Sequence, residues 1–494
     1  MQHQKLSREL GLGGSIIIGL GSVLGTGVFV SIAIAAGVAG SALLTAVVAA
    51  GLIAVCNGFS SAGLAAVHPV SGGSYEYGHR FLLPAAGFTA GWMFLLAKSA
   101  SAATAALGFA GYAWSALTGS PPVQSVAVAL GIMIVLLFTG IVAAGVRRTN
   151  RLNAVIVTIT VGTLLFFIAV GVATWLQAET AVIGTAEATG SVAGAAEAAG
   201  RDASLSAAPA SLSAAPANQN AAPASYAARP ALLSLLPAGG IPALLHAIAL
   251  MFVAFTGYGR IATLGEEVRN PRRTIPRAVL ATLLLTMLLY TGVALAGFVL
   301  PGAAGTTAAG VAAGPAEAPV AAEAAAAAAL TAPLALRAGA LAGSPGRIIL
   351  SVGAITAMAG VLLNLILGLS RVVLAMGRRG DLPAPLAILD PSGRTPVRAV
   401  WATGILILLL TLAGDVRTTW SFSAFSVLVY YAITNAAALR IPRDTALYPR
   451  WISWCGLIGC LLPAFFVEPA VWLTGLALLL LGLGWFAVRR RSQV

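Results

Sequence analysis

Charged residues are scarce in this sequence: they make up 9% of its 494 residues, and none occurs between Leu10 and Tyr75. Hydrophobic residues account for 59% of the chain, and the mean hydropathy is +0.94. This composition excludes a soluble domain and indicates a polytopic membrane protein embedded in a lipid bilayer. The first apolar run is too long for a signal-peptide core and lacks a small-residue cleavage pattern, so we expect a retained span.

Cysteine and lysine are also scarce. Cys56, Cys455 and Cys460 lie in apolar runs, and we interpret them as small buried side chains, not as a disulfide framework or a metal motif. We therefore expect no metal and no cofactor. Only two of the 28 Lys and Arg residues are lysine, a bias typical of GC-rich genomes, which favours a bacterial cytoplasmic (inner) membrane.

Charge-poor runs that are long enough to cross a bilayer, about 17–25 residues each, recur twelve times. They predict an all-α protein with about twelve transmembrane helices. The predicted spans are residues 13–38, 41–66, 86–116, 123–146, 153–176, 241–264, 278–300, 346–374, 398–414, 418–439, 451–467 and 469–488.

Two long segments have a different composition. Residues 177–240 are rich in Ala, Ser and Pro, and residues 301–344 are rich in Ala, Gly and Pro. Because neither segment can bury much apolar surface, we expect weakly ordered loops, with a short helix over 330–344.

The distribution of Lys and Arg predicts the orientation, because these residues concentrate in cytoplasmic loops. With residues 1–12 inside, twenty of them fall on the inner side and five on the outer side. Both termini are then cytoplasmic and both low-complexity loops lie outside. The net charge of +13 follows from this topology, so we expect no nucleic-acid partner.

The first span contains the stretch GLGSVLGTGVF, residues 19–29, with four glycines at its centre. Such glycines fit close packing of helices through small residues. They also fit a discontinuous helix, whose free amides bind an anionic group within the membrane. The sixth span supplies a second case, because Gly257 and Gly259 interrupt it.

The distance between the two interrupted spans favours the discontinuous interpretation. The first and sixth spans are five spans apart and run in opposite directions, the arrangement of transporters built from inverted repeats. We predict one repeat over 13–176 and a second over 241–440, followed by two further spans within 441–494.

Four motifs carry a resemblance to a known family. The sequence resembles the amino acid–polyamine–organocation superfamily, in particular bacterial amino acid permeases related to cationic amino acid transporters. The likeness covers roughly 10–176 and 240–440. The motifs are GLGSVLGTGVF at 19–29, PVSGGSYEY at 69–77, the segment from Phe252 to Pro276, and SRVVLAMGRRGDLP at 370–383.

The resemblance implies a LeuT-like fold with discontinuous helices 1 and 6, and a substrate site between them bordered by spans three, eight and ten. An amino acid would place its α-carboxylate on amides at Gly25, Thr26 and Gly27. Its α-ammonium would bind the carbonyl oxygens of Val23, Val253 and Thr256.

The sixth span supplies further candidates. Phe252 or Phe255 is the candidate lid over the substrate, with ordinary packing as the alternative. Gly257 and Tyr258, which also belong to the family motif, are candidate pocket or gate residues. Glu266 and Glu267 are expected to pair with inner-loop arginines as a gate or a structural latch.

The sequence departs from the family pattern at three places. At the position in span six where relatives often carry an acidic residue, this chain has Gly259, and Arg260 follows it. Arg260 either binds local carbonyls or shapes the substrate pocket or an inner gate. In span three, Ala97 occupies the position where relatives often carry a Glu, and Lys98 follows it. Thr160 replaces a span-five lysine that proton-coupled relatives use.

Lys98 is the candidate proton carrier, because lysine in an apolar environment loses its proton more readily than in water. A structural lysine bound to carbonyls is the alternative. Sodium coupling is less favoured, since no Asp or Glu lies within a predicted span. The coupling ion expected is therefore a proton, with exchange as the other mode.

These features predict a secondary active amino acid permease, or symporter, for a neutral or acidic substrate. A polyamine or organic amine permease is the alternative, but it would require intramembrane carboxylates. A non-transporting sensor with the same fold would normally append a signalling domain, which we do not expect from the six residues that follow the last predicted span. No enzymatic constellation stands out.

Overall fold

The computed structural model describes residues 10–68, 72–145, 150–202, 236–263, 268–299, 330–390, 395–413 and 415–491, without the side chains of 150, 181–202, 262–263 and 413. These ranges are almost entirely helical and contain one isolated bridge, between Leu10 and Val268, and no strand. The helices are α1 (Leu12–Val23), α2 (Ile32–Ala39), α3 (Leu43–Val67), α4 (Ser74–Phe81), α5 (Pro84–Thr118), α6 (Gln124–Ala143), α7 (Asn150–Asp202), α8 (Gly240–Phe255), α9 (Gly259–Thr263), α10 (Pro271–Ala294), α11 (Pro333–Arg379), α12 (Val397–Ala413), α13 (Val416–Ala438), α14 (Arg450–Ala464) and α15 (Pro469–Arg491).

A helix lies at each of the twelve predicted span positions. Within the described ranges, nine helical runs are long and apolar enough to cross a bilayer. Shorter apolar helices occur at Leu12–Val23 and Val397–Leu412. The all-α polytopic class is therefore confirmed.

The Ala-rich segment after the fifth span differs from the prediction. The structure continues α7 to Asp202, whereas the sequence predicted a loop from residue 177. Alanine has the highest intrinsic helix propensity, so an Ala-rich extension prolongs a helix that is already nucleated. Most of the remaining low-complexity sequence lies outside the described residues.

The second low-complexity segment ends in a kinked helix. α11 begins at Pro333, and Ala342 and Gly343 interrupt it, with Gly343 at a φ of +65°. The part before the kink corresponds to the short helix predicted over 330–344. The part after the kink contains the predicted eighth span.

The most buried helices of the bundle are α5 and α13. Small residues dominate α5, so neighbouring backbones approach it closely, and it packs along both α13 and α11. Two hydroxyl pairs join α5 to α13, Ser101 to Ser423 at 2.7 Å and Thr104 to Thr419 at 2.8 Å. These helices form the buried centre of the bundle, and residues of both line the cavity between the interrupted spans.

A second polar contact joins α3, α13 and α14. The amide of Asn435 donates to Oδ1 of Asn57 at 2.5 Å, and Sγ of Cys460 donates to the same oxygen at 3.4 Å. Cys460 is buried as predicted, Cys56 is half-buried, and Cys455 lies on an exposed face, which the sequence did not predict. All three are free thiols.

Candidate functional site

The first span is interrupted where its glycines predict. α1 ends at Val23, and Leu24 leaves the helix with φ −77° and ψ 96°. A π-helical turn over Gly27–Ser31 then leads into α2. Because single π-helical turns inside helices are frequent at functional sites, this interruption makes the region a candidate site.

The sixth span is interrupted more mildly. α8 ends at Phe255, a 3₁₀ turn covers Thr256–Tyr258, and α9 resumes at Gly259. The tightened turn changes the hydrogen-bonding pattern of the carbonyls in this segment without fully separating the two halves.

The two interruptions contact each other directly. A methyl group at Gly257 would overlap the backbone of Ser22 and Val23, and one at Gly27 would lie 3.0 Å from Cα of Ala254. Glycine is therefore needed at both positions so that the two backbones can approach.

A cavity of about 40 Å³ lies where the two interruptions meet. This volume holds a few water molecules and is too small for an amino acid, so substrate binding requires neighbouring groups to move. The lining residues are Ser22, Val23, Thr26, Gly27, Lys98, Ser101, Val253, Ala254, Thr256, Gly257, Val361, Leu365 and Trp420.

Many of the predicted site residues line this cavity, but six other lining residues were missed. Gly25 lies beside the lining and packs against Val361 of α11. The residues that the sequence did not indicate are Ser22, Ser101, Ala254, Val361, Leu365 and Trp420.

Each predicted ammonium-binding carbonyl already accepts a hydrogen bond from a protein hydroxyl. Tyr290 donates to the oxygen of Val23 at 3.0 Å, and Tyr431 donates to that of Thr256 at 3.2 Å. The hydroxyl of Thr256 donates to the oxygen of Val253 at 2.7 Å. No pattern in the sequence indicated Tyr290 on α10 or Tyr431 on α13.

Lys98 contacts the interruption of the sixth span at the cavity. Its Nζ donates to Oγ1 of Thr256 at 2.9 Å and forms part of the cavity lining. The ammonium thus joins α5 to the interruption of the sixth span through a hydroxyl that is itself bonded to Val253. No acidic side chain is among the described residues that line the cavity.

Arg260 lies outside the cavity lining. Its guanidinium donates from Nη1 to the backbone oxygen of Asn364 at 3.1 Å, so it joins the sixth span to α11. This contact agrees with the carbonyl-binding interpretation of the sequence. It also leaves Arg260 where it can restrain movement between the two helices.

The aromatic candidates of the sixth span pack behind the site. Phe252 stands edge-on to Tyr431 with ring centroids 5.7 Å apart, and Phe255 packs on Tyr290 at 5.1 Å. Tyr258 also packs on Tyr431. None of the three lines the cavity, which fits the ordinary-packing alternative; the aromatic residue in the lining is Trp420.

Trp420 presents its ring to the cavity because its polar end is bonded elsewhere. Its Nε1 donates to the oxygen of Leu250 at 3.0 Å. Together with Val361 and Leu365, Trp420 forms an apolar wall of the cavity, and Val361 lies against Gly25 of the first interruption.

The predicted latch residues Glu266 and Glu267 lie outside the described residues. The structure instead connects two of the sequence motifs through α4 and the end of α11. Tyr75 donates to Oδ2 of Asp381 at 2.6 Å, and His79 lies 3.5 Å from the same oxygen. Arg379 pairs with Glu76 at 3.2 Å.

The carboxyl of Asp381 is stabilised in its ionised form. Burial alone would raise its pKa, but the hydrogen bonds from His79 and Tyr75 and the charges of His79 and Arg379 lower it below the usual value. The five residues Tyr75, Glu76, His79, Arg379 and Asp381 are called here the α4–α11 cluster.

Comparison with known proteins agrees with the resemblance of the motifs. The family model of amino acid permeases matches residues 14–492. An uncharacterized transporter of Mycobacterium tuberculosis is 36% identical over 98% of this chain and 92% of its own length. The methylthioribose transporter of Bacillus subtilis is 27% identical over 87% of this chain and 82% of its length. The branched-chain amino acid permease BcaP of the same species is 25% identical over 99% of this chain and 90% of its length.

Proposed function

Because the chain belongs to the amino acid permease family, we propose that it is a secondary active transporter that carries an amino acid across the bacterial cytoplasmic membrane by alternating access. The observation that carries the proposal is the meeting of two interrupted spans at one cavity, whose lining also includes residues of α5, α11 and α13. Backbone that departs from regular helix at membrane depth is tolerated only where it is buried in protein or lines a cavity, and here both interruptions contribute residues to a cavity.

The two charges of an amino acid match the two kinds of backbone group in the interruptions. The amides that begin the second half of the first span, at Gly25, Thr26 and Gly27, suit the carboxylate. The carbonyl oxygens of Val23, Val253 and Thr256 suit the ammonium. A zwitterion is thereby recognised without a buried carboxylate in the protein.

The charge of Lys98 and the apolar wall favour a neutral or acidic substrate. A cationic side chain would meet the Lys98 ammonium, with no carboxylate among the described lining residues to compensate. Val361, Leu365 and Trp420 provide a surface for an aliphatic side chain. The name of the branched-chain permease relative agrees with this choice.

Proton coupling is assigned to Lys98. When it is protonated, its ammonium holds Thr256 through a charge-assisted hydrogen bond, and loss of the proton weakens that bond. Protonation would therefore control how tightly α5 is joined to the sixth span. Thr160, at the place of the relatives' lysine, donates to the oxygen of Ile156 on its own helix.

The experiment is uptake by purified protein in liposomes, with a panel of labelled neutral, acidic and cationic amino acids and amines. Each compound is tested with an inward proton gradient, an inward sodium gradient and neither. We expect accumulation of a neutral or acidic amino acid under the proton gradient alone. Absence of uptake and exchange for every compound, with folded protein, would instead favour the sensor alternative.

A further inference from the structure

Two tyrosine hydroxyls reach the interrupted segments from other helices. The hydroxyl of Tyr290, on α10, lies 3.0 Å from the oxygen of Val23 in the first span and 3.1 Å from that of Ala254 in the sixth. The hydroxyl of Tyr431, on α13, lies 3.2 Å from the oxygen of Thr256. Both tyrosines are buried.

The hydroxyl of Tyr290 has one proton and two acceptors. It can satisfy the carbonyl of Val23 or that of Ala254 with its full hydrogen bond, but not both at once. An ammonium group carries three protons and binds carbonyls in the same way. If an ammonium bound one of these oxygens, the hydroxyl could keep its bond to the other.

The hydroxyl of Tyr290 also lies against the predicted carboxylate site. A methyl group at Gly27 would be 2.6 Å from this hydroxyl oxygen. Gly27, Val23 and Ala254 all line the cavity of about 40 Å³. The tyrosine hydroxyl is therefore in contact with three residues that line the cavity, although Tyr290 itself is not part of the lining.

We propose that the hydroxyls of Tyr290 and Tyr431 bind the carbonyls of the interrupted segments while no amino acid is bound, and that the substrate's ammonium takes over one of these carbonyls on binding. This inference rests on the proposed function. It makes the two tyrosines positioning residues for the transport cycle and assigns α10 a part in the site.

The physical reason lies in the return step of a carrier. A carrier that performs net uptake must change conformation without substrate, and its irregular backbone then passes through a closed, water-poor state. Buried carbonyls without a donor are unfavourable there. In this step the Tyr290 hydroxyl supplies a donor to the Val23 oxygen, and the Tyr431 hydroxyl adds one to the Thr256 oxygen, which also accepts from the Gly259 amide. In exchange, the substrate's ammonium supplies a donor on each passage.

The test compares net uptake with exchange for the variant Tyr290→Phe in liposomes. Phenylalanine keeps the ring contact with Phe255 and removes only the hydroxyl. We expect net uptake into vesicles without internal substrate to slow about tenfold, the usual scale for losing one buried hydrogen bond. Exchange into vesicles preloaded with the same amino acid should change less than about twofold.

The matched control is Tyr77→Phe. Tyr77 is fully buried on α4, and no partner is recorded for its hydroxyl among the residues that the structure describes. The same chemical change there should leave both modes at the wild-type rate. If Tyr290→Phe yields no folded protein, Tyr431→Phe tests the same proposal, and net uptake should again slow more than exchange, by a smaller factor because the Thr256 oxygen keeps the Gly259 amide as a donor.

An equal loss in both modes would overturn the inference, because the hydroxyl would then serve the fold or substrate binding in general. Unchanged rates in both modes would overturn it as well. In both cases wild-type transport would leave the proposed function standing. A wild-type protein that neither takes up nor exchanges an amino acid would overturn both.

Discussion

At the scale of single residues, Lys98 offers the most direct test of how transport is driven. Its ammonium is bonded to Thr256 at the interruption of the sixth span. Lys98→Met retains much of the side chain's length and removes its charge. Because a protonatable group is lost, we expect accumulation driven by a proton gradient to disappear while exchange continues.

Lys98→Arg separates charge from proton transfer. Arginine keeps a cationic donor but does not deprotonate in proteins. This variant should therefore also lose proton-driven accumulation and keep exchange nearer to the wild-type rate than Lys98→Met. Accumulation at the wild-type level in Lys98→Met liposomes would rule out the assigned role and leave Lys98 as a structural residue.

Gly257 tests the contact between the two interruptions. A methyl group there would overlap the Ser22 carbonyl and the Val23 amide, which are backbone groups that cannot rotate away. We expect Gly257→Ala to destabilise the fold by about 1–3 kcal/mol and to abolish uptake. Thermal unfolding in detergent, followed with a thiol-reactive dye, measures the first effect.

The control for this substitution is Gly162→Ala on α7. Its Cβ would have nothing within 4 Å, and the residue is exposed on a helix. There alanine should leave uptake unchanged and stabilise the helix by about 0.5–1 kcal/mol. Equal behaviour of the two variants would show that the close approach at Gly257 is not required.

At the scale of whole helices, the α4–α11 cluster joins a short helix to the end of a predicted span. Asp381 accepts from Tyr75 at 2.6 Å and is 7% exposed. Asp381→Asn removes the charge and weakens the contacts with Tyr75 and His79. We expect a loss of about 1–3 kcal/mol in the free energy of unfolding near neutral pH.

The pH dependence of this effect has a definite sign. The pKa of Asp381 is lower in the folded protein than its ordinary value of 3.8, so its contribution is complete above that value and is lost as the pH falls through the folded pKa. The difference between wild type and Asp381→Asn should therefore shrink below about pH 4. Melting curves of both proteins across the acid range measure it, and a constant difference would contradict the assignment.

Helix positions could largely be predicted from the sequence, because the thickness of the bilayer sets the length of each apolar run and charged residues mark its ends. The interruption at Val23–Gly27 was predictable for another reason: glycine weakens a helix, so several glycines at the centre of a span indicate a break or a close contact. Tyr290 and Trp420 could not be predicted. Each lies within an apolar helix, and its role depends on which neighbour its helix face meets, which no local pattern records.

The helix after the fifth span differs from the prediction for a local reason, whereas the cluster at α4 depends on the fold. Composition indicated weak order after residue 177, but the propensity of alanine extends α7 to Asp202. The motifs that contain Tyr75 and Asp381 were each recognised in the sequence. Their pairing across 306 residues required the fold.

At the scale of the whole molecule, the distribution of arginine predicts the direction of insertion. Twenty of the 28 Lys and Arg residues lie on one predicted side and five on the other. Because such residues are retained on the cytoplasmic side during insertion, the Ala/Ser/Pro segment should be outside and the C-terminus inside. A single cysteine on each side tests this orientation.

The variants are Ser211→Cys and Ser492→Cys, in a chain in which Cys56 and Cys455 are replaced by Ala. Cys460 is replaced by Ser, which retains a donor for the oxygen of Asn57. A membrane-impermeant maleimide applied to intact cells should label the first variant and not the second, because only residue 211 then faces the outside. Opening the cells should expose both sites, and retained uptake verifies that each variant is folded. The opposite labelling pattern would reverse the orientation, exchange the inner and outer sides of the carrier, and move the α4–α11 cluster to the extracytoplasmic face.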